Sequence, residues 1–289
     1  MRRAAILRHD RGVRADTARV TRPRTGFAYL DGGLDQPGAV LAFAHRGGAF
    51  HPEIEGLENT LAAFSHAVSL GYRYLETDVH ATRDGVLLAF HDEVLDRVTA
   101  SVGRLADLSY GEVRAARIGE REEIPTLASL MESFPDARFN IDIKAEAAVA
   151  PLAELVRTTG SHDRVCVGAF SDRRMSRFRR LLDRPVATAC GPGAVVGVRF
   201  APTHGWAARL AGAGAVLQVP HRRGRVRVVT EELVARAHAL GRPVHVWTVD
   251  EPAEMHHLLD LGVDGLMTDR TDVLRDVLVA RGQWMGEAP

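Results

Sequence analysis

The sequence predicts a (β/α)8 barrel in a single domain, and three observations carry that expectation. From Val40 onward, strand-like and helix-like stretches alternate over about 240 residues, the pattern of a parallel sheet. Eight principal strands can be counted, and no dinucleotide-type glycine fingerprint follows any of them, which favours a closed barrel over a doubly wound sheet. Polar residues with chemical potential fall at or near the C-terminal ends of strands far apart in the chain, where barrels gather their sites.

Composition sets the outer bounds. The chain has 289 residues, 46% hydrophobic and 26% charged, ordinary for a globular protein and long enough for one large domain or two small ones. Its formal net charge is zero, so no global attraction to nucleic acid or anionic membrane is implied. Cys166 and Cys190, the two cysteines, stand in neither a C-x-x-C nor a zinc spacing, and are expected to be reduced and buried. No run approaches the roughly 20 apolar residues of a membrane span, and Arg8 interrupts the apolar run Ala4 to Leu7 before it could serve as a signal peptide. A cytoplasmic protein is the expectation.

Residues 1–38 are rich in arginine and in breakers (Pro23, Gly26, Gly32, Gly33, Pro37). They read as an inert N-terminal extension, disordered up to about Gly26, with the barrel domain spanning 39–289. Val40 to Ala44 is a fully buried type of strand that runs into His45-Arg46-Gly47-Gly48. Asn59 reads as the N-cap of a helix with the stripe Leu61, Phe64 and Val68, ended by Gly71. Tyr74 opens the next strand, Asp84-Gly85 turns it, and Val86 to Phe90 comes back. Leu95 to Ser109 is loop-like, and Ile124-Pro125-Thr126 introduces a helix to about Ser133.

Strand Phe139 to Ile143 follows, then a helix at about 148–159, strand Val165 to Val167 and a helix at about 172–182. Next come strand Pro185 to Ala189, a helical stretch near 203–211 and strand Ala215 to Val219. Thr230 starts a helix with Glu231-Glu232 in its first turn, stopped by Gly241. Strand Val244 to Thr248, a helix opened by Pro252, strand Gly265 to Met267 and a terminal helix at about 271–280 complete the order.

The chain is organised around Tyr74 to Asp92. Glu76 and Asp78 lie two apart on a strand and therefore share a face. Such a carboxylate pair repels itself unless it shares a proton or binds a cation. His91 closes the returning run. Asp142 and Lys144 share one face of the next strand, and His45-Arg46 ends the first. Three hard oxygen donors suit Mg²⁺ or Ca²⁺, Arg46 offers a fork for a phosphate, and two histidines can serve as base and acid. The residues read as a metal-dependent phosphodiesterase.

The motifs carry a resemblance. A-H-R-G-G (44–48), E-N-T (58–60), E-T-D-V (76–79) and D-G-x-x-x-x-x-H-D (84–92) resemble the glycerophosphodiester phosphodiesterase family. L-D-R-V-T (95–99), I-P-T-L (124–127), V-W-T-V-D (246–250) and G-V-D-G-L-M-T-D (262–269) extend it over roughly 40–280. The resemblance implies a barrel related to phosphatidylinositol phospholipases, hydrolysing glycerophosphodiesters to glycerol 3-phosphate and an alcohol. It implies His45 and His91 as the acid–base pair and Glu76, Asp78 and Asp142 as ligands of one divalent cation, Mg²⁺ or Ca²⁺. Arg46 and Lys144 would neutralise the phosphate, Trp247 would wall the glycerol pocket, and Glu58 would stand at the edge of the site. The implied partner is a small-molecule glycerophosphodiester, with neither nucleic acid nor an integral membrane segment.

Where this chain has Asp142 the family more often has glutamate, one methylene longer. The D-x-K pairing occurs in sphingomyelinase D-like relatives, a second possible activity on the same barrel. Those relatives usually depend on disulfide-tied loops, for which this chain lacks the cysteines. A catalytically silent phospho-ligand-binding barrel is a third reading, against which the intact histidine pair argues. Lys144 is the only lysine among 37 lysine and arginine residues. A lone lysine surviving that bias points to a site that an arginine would not fit.

Overall fold

Eight parallel strands succeed one another round the wall of the molecule. They are β1 (Leu41–His45), β2 (Tyr74–Ala81), β3 (Arg138–Ile143), β4 (Val165–Gly168), β5 (Ala187–Thr188), β6 (Leu217–Pro220), β7 (Val244–Trp247) and β8 (Gly265–Thr268). The structure is a computed structural model and describes residues 23–32 and 38–286. From β1 to β5 and from β6 to β8 each strand pairs with the next, and β8 pairs back with β1. The circuit between β5 and β6 is completed by the parallel bridge Ala189–Val216. Cys190 N donates to Val216 O (2.8 Å) and Ala215 N to Thr188 O (2.7 Å) at that joint. The expected (β/α)8 barrel is what forms.

Alternation along each strand divides the apolar residues into two sets. Ala42, Ala44, Leu75, Val79, Ile141 and Val167 face outward and pack on helix residues such as Phe64, Leu152, Phe178, Leu233 and Leu258. Leu41, Phe43, Tyr74, Cys166, Ala187 and Met267 face inward and form a second, smaller cluster. Both cysteines are free and buried, as expected.

The inner cluster is closed from below by a segment expected to lie in the extension. Residues Ala28–Asp31 form one helical turn, and Tyr29 and Leu30 are 0% and 3% exposed inside the inner cluster. Tyr74 Oη donates to Tyr29 O (3.0 Å), and the two rings meet edge to face at 5.3 Å. These contacts lie at the beginnings of β1 and β2, so the turn plugs the N-terminal end of the barrel. Sequence pattern missed it because four residues are too short to display a period. The expected disorder before Gly26 falls mostly on residues outside the described ones.

Other elements differ locally. The helix Leu61–Ser69 is capped by Thr60, whose Oγ1 accepts from Ala63 N, and not by Asn59. Its buried face is Ala63, Phe64 and Ala67, while Leu61 and Val68 are exposed. An additional helix, Pro192–Phe200, precedes the expected one at His204–Leu210. The run after the Asp84-Gly85 turn returns as Leu87–Ala89, antiparallel to Val79–Ala81. No helix among the described residues is long and apolar enough to cross a membrane.

Candidate active site

The site begins where β1 turns. Arg46, Gly47 and Gly48 have φ of 51°, 87° and 93°, in the left-handed region that side chains other than hydrogen disfavour. A Cβ on Gly47 would lie 2.7 Å from Ala63 Cβ, and one on Gly48 2.7 Å from Thr271 Cγ2. The two glycines let the turn pack down, and Arg46 N then donates to Glu76 O (3.0 Å) and to Glu76 Oε2 (3.1 Å).

Strand register sets the acidic row. Glu76 lies opposite His45 across β1–β2, and Asp78 opposite Asp142 across β2–β3. Lys144 Nζ stands between the two aspartates, 2.8 Å from Asp78 Oδ1 and 2.7 Å from Asp142 Oδ2. Arg46 Nε lies 3.0 Å from Asp78 Oδ2. Burial alone would raise the Asp78 carboxyl, but Lys144 and Arg46 outweigh it and hold the group below the usual range. Glu76 has weaker compensation. Burial, and then the charge of Asp78, push its carboxyl up to about 7.

Each histidine is held through Nδ1 by an aspartate. His45 Nδ1 lies 2.7 Å from Asp269 Oδ1, and its Nε2 lies 3.7 Å from Glu76 Oε2. Burial, which alone would lower the His45 pKa, is outweighed by Glu76 and the Asp269 hydrogen bond, so the imidazole is raised from its ordinary value. Asp250 Oδ1 accepts from Asp269 N (2.8 Å) and Thr268 Oγ1 (2.9 Å), which fixes the turn carrying Asp269. His91 Nδ1 lies 2.5 Å from Asp92 Oδ1. Arg97 reaches from Asp92 Oδ2 to both oxygens of Glu58 (2.8 and 2.6 Å). Glu58 in turn accepts from Arg46 (3.2 Å). Burial would raise the Glu58 carboxyl, but Arg97 and Arg46 hold it low.

The structure thus links His45, Arg46, Glu58, Glu76, Asp78, Asp142 and Lys144 through direct contacts, and joins His91 to them through Asp92, Arg97 and Glu58. Trp247 ends β7 at the same C-terminal face, half-buried, its ring edge to face with Phe170 at 5.6 Å. Arg46, expected to present a free fork, has its guanidinium engaged by Glu58 and Asp78.

Among the described residues, no three His, Cys, Asp or Glu side chains are gathered closely enough to hold a metal ion. Glu76, Asp78 and Asp142 share one end of the barrel, but the Lys144 ammonium supplies the counter-charge between two of them. In kind, the donors do suit a hard divalent cation: three carboxylates at the ends of adjacent strands, one of them short of counter-charge.

Sequence reasoning passed over four residues. Asp269 ends the 262–269 motif and Asp92 follows His91, so a carboxylate next to a strand-end histidine was the available signal for both. Asn59, in the left-handed region at φ 61°, accepts from Thr77 (2.8 Å) and approaches Asp78 Oδ2 (3.4 Å); E-N-T marked it, but as a cap. Arg97 stood inside the L-D-R-V-T motif, but nothing in that motif showed its role, because its partner Glu58 lies 39 residues away.

Comparison with known proteins places the chain in a family. A solved structure of an Oleispira antarctica phosphodiesterase in complex with the product sn-glycerol 3-phosphate superposes with TM-score 0.70 at 22% identity, over 82% of this chain and 96% of that one. A structure from Silicibacter pomeroyi, assigned to the glycerophosphoryl diester phosphodiesterases, superposes with TM-score 0.72 at 26% identity, over 89% of this chain and 99% of that one. The curated "Probable glycerophosphodiester phosphodiesterase 2" of Mycobacterium tuberculosis is 44% identical over 252 residues, 86% of this chain and 94% of its own. The family model described as "Glycerophosphoryl diester phosphodiesterase family" matches residues 45–273. The chain belongs to the glycerophosphoryl diester phosphodiesterase family.

Proposed function

We propose that this chain hydrolyses glycerophosphodiesters to sn-glycerol 3-phosphate and an alcohol, with His45 and His91 as the acid–base pair. The observation that carries the reading is that each imidazole is tied by Nδ1 to its own aspartate, Asp269 or Asp92. That leaves both Nε2 atoms as the working nitrogens at one end of the barrel. A carboxylate on Nδ1 fixes ring orientation and supports the imidazolium that forms when Nε2 takes a proton. The raised His45 keeps a proton to donate to a leaving alkoxide. Lys144 and Arg46 stand beside the acidic row and can turn toward a phosphate, whose charge adds to the carboxylates already there.

Glu76, Asp78 and Asp142 would hold one divalent cation, Mg²⁺ or Ca²⁺, which would neutralise charge developing on the phosphoryl oxygens. Trp247, half-buried at the end of β7, offers an apolar wall for the glycerol carbons.

A panel of glycerophosphodiesters, lysophospholipids and sphingomyelin, assayed for released glycerol 3-phosphate or free alcohol with Mg²⁺, with Ca²⁺ and with chelator, tests the reading. We expect metal-dependent release of glycerol 3-phosphate, and none of choline from sphingomyelin. His45→Ala and His91→Ala should each lower kcat by roughly 10²–10⁴, with the double variant little worse than either single one. Full activity after exhaustive chelation would remove the metal from the proposal. Full activity of either histidine variant would remove that histidine.

A further inference from the structure

The stretch His221-Arg-Arg-Gly-Arg-Val-Arg-Val228 forms an element that the catalytic reading leaves unused. Arg222–Arg223 and Val226–Arg227 pair antiparallel as a hairpin, closed by Gly224 at φ 58° and Arg225. The hairpin leaves the barrel directly after β6, whose last residue, Pro220, is level with Trp247. It therefore stands at the rim of the same C-terminal face as the site.

Three features set it apart. Residues 222–227 are all exposed. None of the four arginine side chains makes an ion pair or hydrogen bond with a described residue. Some exposed arginines elsewhere find carboxylates, as Arg97 does with Glu58 and Asp92 and Arg157 with Glu154, and those that do not, such as Arg73 and Arg180, are scattered singly, whereas the hairpin gathers four within six residues. Finally, Arg222 lies directly opposite Arg227, a like-charge cross-strand pair that costs stability. The hairpin thus concentrates uncompensated positive charge on a protein whose net charge is zero.

The same face carries exposed apolar side chains. Val226 on the hairpin is 52% exposed, and Phe50 and Phe170, in the loops after β1 and β4, are 60% and 61% exposed. Arginine forks beside aromatic and aliphatic groups on one face are complementary to the headgroup layer of an anionic bilayer. Such a layer takes apolar side chains to shallow depth and draws cationic ones to its phosphates. A soluble anion in the site would require neither the apolar rim nor charge spread over both faces of a ribbon.

We propose that the hairpin Arg222–Arg227 docks the mouth of the barrel on an anionic membrane surface, with Phe50, Phe170 and Val226 entering the headgroup layer. The docking is separate from turnover and does not depend on which residues catalyse. It would present the site to phosphodiesters formed at, or still held in, the bilayer.

The test is vesicle co-sedimentation of the full chain, with phosphatidylcholine alone and with phosphatidylglycerol added. The parent, a variant with all four hairpin arginines changed to glutamine and one with all four changed to lysine are compared. We expect binding only to the phosphatidylglycerol vesicles, weakened by salt. The glutamine variant should lose on the order of 1000-fold in partitioning, at about 1 kcal/mol for each arginine, while the lysine variant retains most of it. Turnover of a soluble glycerophosphodiester should stay unchanged in both variants, which also reports correct folding. Should the glutamine variant fail to fold, single Arg→Gln variants should each lose partitioning by a fewfold, and unchanged partitioning in all of them would overturn the proposal. Equal binding to phosphatidylcholine, or full binding by a folded glutamine variant, would overturn it too. Hairpin-dependent binding to RNA or DNA oligonucleotides without vesicle binding would assign the surface to nucleic acid instead. A raised KM for the soluble substrate with unaltered vesicle binding would make the hairpin part of the substrate site.

Discussion

His45 Nδ1 stands 2.7 Å from Asp269 Oδ1, and the two residues are 224 positions apart in the chain. They meet because β1 and β8 are neighbours in the barrel, with Ala44 level with Thr268. Together with the charge of Glu76, the contact raises the pKa of the imidazole proposed as an acid.

Removing that charge should change a pH profile as well as a rate. His45 is raised from its ordinary value, so it stays protonated to higher pH, and kcat/KM should fall as pH rises through that pKa. Asp269→Asn removes one of the two charges raising it, so the falling limb should move to lower pH. Activity at the optimum should drop by roughly 10²-fold, the lower end for a general acid or base. A slower enzyme with its limb in the same place would mean that Asp269 acts on the fold of the β8 turn and not on His45.

Lys144 offers a sharper comparison, because its ammonium lies within 2.8 Å of two carboxylates at once. Burial, which alone would lower its pKa, is outweighed by Asp142 and Asp78, so it stays charged. A planar guanidinium is wider than an ammonium and fixed in its fork, so Lys144→Arg preserves charge but not fit. We expect kcat/KM to fall at least about tenfold, or roughly 1.4 kcal/mol of transition-state stabilisation. An arginine variant as active as the parent would show that only charge counts there.

Glu76 should leave a signature in stability. Its carboxyl is raised from 4.5 to about 7 in the folded protein by burial and by Asp78. Between those values the folded state keeps a proton that the unfolded chain has released. Without added metal, folding is therefore progressively disfavoured as pH rises through that window, and the penalty stays constant above it. Glu76→Gln removes the charge, keeps an acceptor for Arg46 N, and should be more stable than the parent at pH 8. The ceiling is about 3 kcal/mol, from the difference between 4.5 and 7 at about 1.36 kcal/mol per pH unit. The gain should vanish at about pH 4. Thermal unfolding in chelator measures it, and adding Mg²⁺ or Ca²⁺ should raise the Tm of the parent more than that of the variant. Parallel pH curves for the two proteins would show that Glu76 is not short of counter-charge.

By itself the sequence determined the barrel and most of the polar residues at its mouth. Strand alternation and the order of helices are written in local periods, so all eight strands could be placed from near-neighbour pattern. His45, Glu76, Asp78, Asp142 and Lys144 could be placed toward one end because each lies at or near the C-terminal part of its strand, and parallel strands in a barrel end on the same side. Thr230 and Thr126 were legible as helix starts because a cap depends on only four consecutive residues.

Only the tertiary structure decided how those residues pair. That Asp269 holds His45, that Arg97 ties Asp92 to Glu58, and that Lys144 lodges between Asp78 and Asp142 follow from register and loop path. Neither leaves a period in the chain. The same holds for Tyr29, whose one turn of helix becomes the barrel floor only because an open ring of inward-facing apolar side chains lies above it. Asn59 looked like a cap and became a strut for Asp78, since the turn after β1 brings the end of β2 within its reach. Spacing along a strand or helix sets which side chains share a face. Which faces then meet is settled by closure of the sheet, and so was the chemistry at the mouth of this barrel.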